Sequence, residues 1–134
     1  MAMAKSMVLL PILCLLLLSF NSGGLPKLAN GQGDRTWCVA KPSTYDANLN
    51  NNINYACDKI GEMGYNCSLI QPNGSCFTPD TPINHASVVM NFYYQLVGRP
   101  LSACYFDGSG LVTITDPSYV TDYASCQYVY ISEA

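Results

Sequence analysis

Residues Cys67–Gln95 read CSLIQPNGSCFTPDTPINHASVVMNFYYQ and hold two kinds of local instruction. The part from Cys67 to Cys76 encloses Pro72-Asn73-Gly74, a composition that makes a tight turn with glycine supplying a positive φ. The second part opens on Thr81-Pro82: threonine serves as N-cap, and proline takes the first helical position, where its missing N–H costs nothing. From there Ala86, Val89, Met90, Tyr93 and Val97 recur at i, i+3, i+4, i+7 and i+11, the spacing of one buried helix face. Gly98 and Pro100 end the helix. One step round the cylinder, Ser87, Asn91 and Tyr94 form a row with Gln95 beside it, and the pattern assigns this row to an exposed flank.

Upstream, Ser43 with Asp46 three residues on is a short-acid form of the capping box. Leu49, Ile53, Ala56, Cys57 and Ile60 then fall on one helical face, and Gly61 is the expected stop. Asn48, Asn50, Asn51, Asn52 and Asn54 sit mostly off that face. Asparagine is a mediocre helix former, so burial and a bridge at Cys57 must stabilise this helix. The asparagine cluster reads as a solvated polar face, with contact to sugar hydroxyls as the alternative. Trp37, beside Cys38, is expected to pack in the core against a disulfide.

Downstream, Leu101–Thr115 reads LSACYFDGSGLVTIT. Two β-rich runs around Asp107-Gly108-Ser109-Gly110 predict a hairpin, with Val112 and Ile114 on the dry side and Thr113 and Thr115 on the wet one. Asp116-Pro117-Ser118 turns the chain into a segment from Tyr119 to Tyr130 that carries Cys126 and four tyrosines. Tyr105 is the expected neighbour of that segment across the hairpin.

The 134 residues allow one domain. Lys5 precedes the apolar run Val8–Phe20, and Ser22, Gly23 and Gly24 follow. The run falls short of the roughly 20 residues of a membrane span, so residues 1–24 read as a secretory signal rather than an uncleaved anchor. Residues 25–36 carry Pro26, Gly31 and Gly33 without periodicity and read as a flexible leader. Residues 37–130 form the domain and 131–134 a tail. Removing Cys14 with the signal leaves six of the seven cysteines, an even set that reads as a disulfide framework with fifteen possible pairings. Removing Lys5 leaves five basic against nine acidic residues, a net charge of about −4. With no basic stripe, nucleic acid and anionic membrane are poor partners. All ten tyrosines survive, and a weakly acidic surface rich in Tyr and Asn suits an uncharged polar ligand such as carbohydrate. The sequons Asn66-Cys67-Ser68 and Asn73-Gly74-Ser75 are glycosylation acceptors, Asn73 the more accessible.

Catalytic chemistry finds little support. His85 is the only histidine, and it reads as a hydrogen-bonded structural group at a helix start, because a metal site needs several ligands and the cysteines are better used in bridges. A glycoside hydrolase needs two carboxylates about 5 to 9.5 Å apart in a cleft. Of Glu62, Asp80, Asp107 and Asp116, three lie in turns that account for them locally. The expectation is a non-enzyme without cofactor or metal.

Taken together, WCVAK, INYAC, NCSLIQPNGSC, FTPDTPINHASVVMNFYYQ, CYFDGSGLVTITDPSY and a final SC-x-Y resemble the plant X-eight domain, carbohydrate-binding module family 43. The resemblance runs from Trp37 to Tyr128, with cysteine separations of 9 (67 to 76) and 28 (76 to 104). It implies an α+β, disulfide-stapled domain: two main helices, a small antiparallel sheet, and three bridges, Cys38–Cys104, Cys57–Cys67 and Cys76–Cys126. Two segments are longer than the family pattern, Cys57 to Cys67 and the residues around Val120 to Ala124.

The resemblance further implies non-catalytic binding of β-1,3-glucan, callose or laminarin-type chains, in the plant cell wall or apoplast. The alternatives are a cysteine-rich secreted defence or interaction protein, or a glucanase-associated module without activity of its own. Asn91, Tyr94 and Gln95 on the helix flank, with Tyr105, Asp116 and Tyr119 near the hairpin, are the expected glucan contacts. No hydrophobic anchor signal follows the domain, so the expectation is a freely secreted monomer.

Overall fold

A computed structural model of the chain describes residues 35–120 and 125–133. Residues 1–24, expected to be a secretory signal and holding Cys14, residues 25–34 of the expected leader, residues 121–124 of the expected insertion, and residue 134 lie outside the described residues. Thr81 caps the second helix as its sequence demands: its backbone is extended and its Oγ1 accepts the Asn84 N–H at 3.3 Å. The first helix, α1, spans Asp46–Glu62, and the second, α2, spans Pro82–Leu96. Neither is long and apolar enough to cross a membrane.

On α2 the expected inner residues Ala86, Val89 and Met90 are fully buried, but Tyr93 is only half-buried and Val97 is exposed. Burial instead runs almost round the helix and takes in Ser87, Val88, Asn91, Phe92, Tyr94 and Gln95. Asn91, Tyr94 and Gln95 are 0, 1 and 2% exposed, so the exposed flank expected from the sequence is the opposite of what forms. The cause is strand β1, Trp37–Ala40. Its Cys38 N–H donates to Asn91 Oδ1 at 3.2 Å and its Ala40 N–H to Ser87 Oγ at 3.0 Å. Helix side chains thus satisfy donors on the β1 edge facing α2, where an unpaired buried amide would be costly. Gln95 Nε2 donates to the Thr36 carbonyl at 2.8 Å, and Asn91 Nδ2 to the Val129 carbonyl at 2.7 Å.

The expected hairpin within Leu101–Thr115 does not form. Strand β2, Gly110–Thr113, pairs antiparallel with β1, from Trp37 opposite Thr113 to Ala40 opposite Gly110. The run before it folds into two 3₁₀ turns, Leu101–Cys104 and Phe106–Gly108. The Cys38–Cys104 bridge and the packing of Gly110 hold these turns against the sheet. A Cβ on Gly110 would lie 1.7 Å from the Cys104 carbonyl oxygen, so only glycine allows that approach. Ile114, expected on the dry side, lies beyond the strand and is exposed. A second small ladder pairs β3, Tyr119–Val120, with β4, Ser125–Cys126.

Helix α1 buries Leu49, Ala56 and Ile60 and half-buries Ile53 and Cys57. It starts later than expected, because Tyr45 rather than Ser43 is the N-cap and no side chain caps it. It also runs past Gly61 to Glu62. Asn52 departs from the solvated asparagine face and is buried. In the loop after it, Asn73, not Gly74, takes the positive φ of 70°. Gly74 is needed for closeness, since a Cβ there would lie 2.2 Å from the Ser68 carbonyl oxygen.

The bridges are Cys38–Cys104, Cys57–Cys67 and Cys76–Cys126, the pairing the resemblance implied. Each contributes about 2 to 4 kcal/mol, mainly by restricting the unfolded chain. Trp37 is buried, with its ring 5.6 Å from that of Tyr130. His85 packs structurally, stacked on the Phe77 ring and hydrogen-bonded through Nε2 to the Phe77 carbonyl at 2.7 Å.

Two outcomes follow. Asn91→Leu leaves the Cys38 N–H and Val129 carbonyl unpaired, and denaturant unfolding with bridges intact is expected to show a loss of about 2 to 4 kcal/mol. Burial, with the Tyr119 phenol adding and a Ser87 hydrogen bond opposing, pushes the Tyr128 phenol up to about 12. Because the folded value lies above the ordinary one, this stabilisation is complete below pH ~10 and is lost as pH rises towards 12. Unfolding followed from pH 9 to 12 should show that decline, and Tyr128→Phe should make it shallower.

Candidate functional site

Where α1 faces the 3₁₀ turns, the surface opens into a groove of about 380 Å³. Helix α1 contributes Asn51, Asn52 and Tyr55, α2 contributes Tyr93, and the turn segment contributes Ser102, Ala103, Tyr105, Phe106 and Asp107. Tyr55, Tyr93 and Phe106 meet edge to face in all three pairings, with centroids 5.8 to 6.1 Å apart. Each ring therefore holds the other two in orientation. Tyr55 is 48% and Tyr105 65% exposed, so both present ring surface to solvent. Lys59 Nζ sits 5.8 Å from the Tyr55 ring centroid. Burial, with the hydrogen bond and charge of Tyr55, raises the Tyr93 phenol above its ordinary value.

The wall opposite α1 depends on an unusual backbone. Phe106 and Asp107 both take left-handed conformations, φ 43° and 53°, which cost of order 1 kcal/mol or more each outside glycine. Hydrogen bonds hold the turn in place. Asn52 Nδ2 donates to Ser109 Oγ at 2.8 Å, Ser109 Oγ donates to the Phe106 carbonyl at 2.6 Å, and the Gly110 N–H donates to the Tyr105 carbonyl at 3.2 Å. Asn52 is thus a strut between helix and wall. Past it, a polar compartment of about 120 Å³ continues the groove through Asn48, Asn51, Asp107 and Ser109.

Chemically this is an aromatic floor with amide, hydroxyl and carboxylate groups at its rim, suited to an uncharged polyhydroxy ligand. Asp107 is the one carboxylate lining the groove among the described residues. Glu62 pairs with Lys59 at 3.3 Å, Asp80 lies 3.8 Å from His85, and Asp116 accepts the Ser118 N–H at 2.9 Å. Among the described residues the groove lining therefore offers one carboxylate, where a glycoside hydrolase uses two. Among the described residues no group of three or more potential ligands could hold a metal.

The six expected contacts fall in different places. Tyr105 lines the groove. Asn91, Tyr94 and Gln95 are structural and offer a sugar almost no surface; the Tyr94 hydroxyl shares a 2.8 Å hydrogen bond with Thr36 Oγ1. Asp116 lines a separate depression with Ser118 and residues 127–130. Tyr119 is half-buried, and its hydroxyl donates to the Thr78 carbonyl. Without the hairpin, neither is brought beside Tyr105 in the groove. The expected contacts did not include the groove residues Tyr55, Tyr93, Phe106 and Asp107, and Asn51 entered only through the alternative reading of the asparagine cluster. A usable signal existed for Tyr55, an aromatic ring off the apolar stripe of an asparagine-rich helix. The sequon residues Asn66 and Asn73 are both exposed, and Asn66 Oδ1 accepts the Ser68 N–H at 3.0 Å.

Comparison with known proteins bears on the same residues. The profile of the X8 domain matches residues 36–111. The chain is 46% identical over 98 residues to the major pollen allergen Ole e 10 of Olea europaea, covering 73% of this chain and 76% of the allergen. It is 46% identical over 97 residues to a glucan endo-1,3-beta-glucosidase of Triticum aestivum, covering 72% of this chain but only 19% of that protein. It is 36% identical over 95 residues to plasmodesmata callose-binding protein 2 of Arabidopsis thaliana, covering 71% of this chain and 47% of that one. With more than half of its length matched by the profile and most of the allergen aligned to it, the chain belongs to the X8 domain family.

Proposed function

We propose that this chain binds β-1,3-glucan non-catalytically, in the groove between α1 and the 3₁₀ turns. The observation that carries the reading is the set of Tyr55, Tyr93 and Phe106, locked edge to face, with exposed Tyr105 beside them and a polar rim. The C–H faces of a β-linked glucan pack on aromatic rings, while Asn51, Ser102 and Asp107 reach its hydroxyls. A relative named for callose binding and glucan endo-1,3-beta-glucosidases that share this segment support the ligand class. That Asp107 is the one carboxylate among the described groove residues supports binding without hydrolysis.

Three disulfides support an oxidising, extracellular setting, and we place the protein in the plant cell wall or apoplast as a secreted monomer. Glycosylation at the exposed Asn73, and at Asn66, is compatible with the site because neither lines the groove.

The test is retention on insoluble β-1,3-glucan, with cellulose as control. Tyr55→Ala and Tyr105→Ala are each expected to weaken retention about tenfold, ~1.4 kcal/mol. Asp116→Ala should leave it unchanged. Retention on cellulose alone, or release of reducing ends from the glucan, overturns the reading.

A further inference from the structure

The groove does not end at its aromatic floor. Asn51, Asn52, Phe106 and Asp107 line both it and the polar compartment, so the two are one trough running along α1. On α1 itself Tyr45, Asn48, Asn52 and Tyr55 fall at i, i+3, i+7 and i+10, neighbouring positions on one side of a helix. At 1.5 Å per residue, Tyr45 and Tyr55 are about 15 Å apart along the axis. The lead into the helix is anchored at the far compartment: the Lys41 N–H donates to the Ser109 carbonyl at 2.8 Å, and the Thr44 N–H to the Lys41 carbonyl at 3.0 Å. Ser109 lines that compartment. Tyr45 therefore enters α1 at the end of the trough remote from Tyr105, with 80% of its surface exposed.

The Tyr45 carbonyl accepts the Leu49 N–H at 3.0 Å, but its side chain supplies no capping hydrogen bond and faces solvent. Three residues before Asn48, which lines the polar compartment, that exposed ring has the chemistry of a second sugar platform. Resting on the glucan reading above, we propose that the binding track extends from Tyr105 and Tyr55 through Asn48, Asp107 and Ser109 to Tyr45. The domain then engages a run of several consecutive sugar rings, and Tyr45 determines a preference for longer chains.

Titration calorimetry of the full domain with β-1,3-linked tri- and hexasaccharides separates the two ideas. The unaltered domain is expected to bind the hexasaccharide more tightly than the trisaccharide. Tyr45→Ala should weaken hexasaccharide binding about three- to tenfold and change trisaccharide binding less than about twofold. Tyr45→Phe, which keeps the ring, should restore the hexasaccharide affinity, and Tyr105→Ala should weaken both ligands. Because Tyr45 is exposed, its variants are expected to fold, and unchanged unfolding curves check that they do. If Tyr45→Ala matches the unaltered domain on both ligands while Tyr105→Ala fails on both, the extension is overturned and the groove stands. Equal losses on both ligands from Tyr45→Ala overturn the distal placement. If the unaltered domain binds neither saccharide, the glucan reading falls and the extension falls with it.

Discussion

The structure depends on one interaction above the others: the polar row on α2 that closes the edge of β1. Two short strands make a poor sheet alone, because β1 has an open edge buried against the helix. Asn91 and Ser87 supply the missing acceptors, and Asn91 also reaches the Val129 carbonyl on the final segment. Gln95 extends the same logic, bonding Thr36 through Nε2 while its Oε1 accepts from Arg99 and from the Ile131 N–H. Arg99 in turn donates to the Ile131 carbonyl and sits over the Tyr130 ring. Two stretches remote in sequence, residues 36–40 and 129–131, are thus hydrogen-bonded to one helix.

The groove follows from this arrangement. Once β1 is fixed against α2, the Cys38–Cys104 bridge ties the 3₁₀ turns to the sheet, and the close approach of Gly110 to Cys104 leaves no room for the chain to relax. The left-handed Phe106 and Asp107 are the result, and the Asn52–Ser109–Phe106 hydrogen bonds tie that corner to α1. Tyr93 projects from α2 away from the polar row, two residues and so roughly 160° from Asn91 on the helical wheel. The same helix therefore carries scaffold chemistry on one side and a groove-lining ring on another.

Local sequence rules located α2 and its cap because Thr81-Pro82 acts within one turn and needs no partner from elsewhere. They also located the apolar stripe of α1 and the structural role of His85. The disulfide pairing was not available from spacing; it came from the ordered motifs that resemble a family. Of the expected binding residues, Tyr105 lies in the groove because an aromatic residue among small and polar neighbours is hard to bury. Asn91, Tyr94 and Gln95 were misplaced because polarity signals solvent only when no buried backbone donor needs an acceptor.

By itself, then, the sequence determined the two helices, the cysteine-stapled α+β class and the family, since all rest on local periodicity or on motif order along the chain. Tertiary structure alone decided that β2 pairs with β1 instead of folding back on Leu101–Phe106, that the polar row of α2 turns inward, and that Tyr55, Tyr93 and Phe106 converge. Each of these depends on contacts across tens of residues. Partner edges, bridge geometry and the space left beside Gly110 set such contacts, and no window of the sequence contains them.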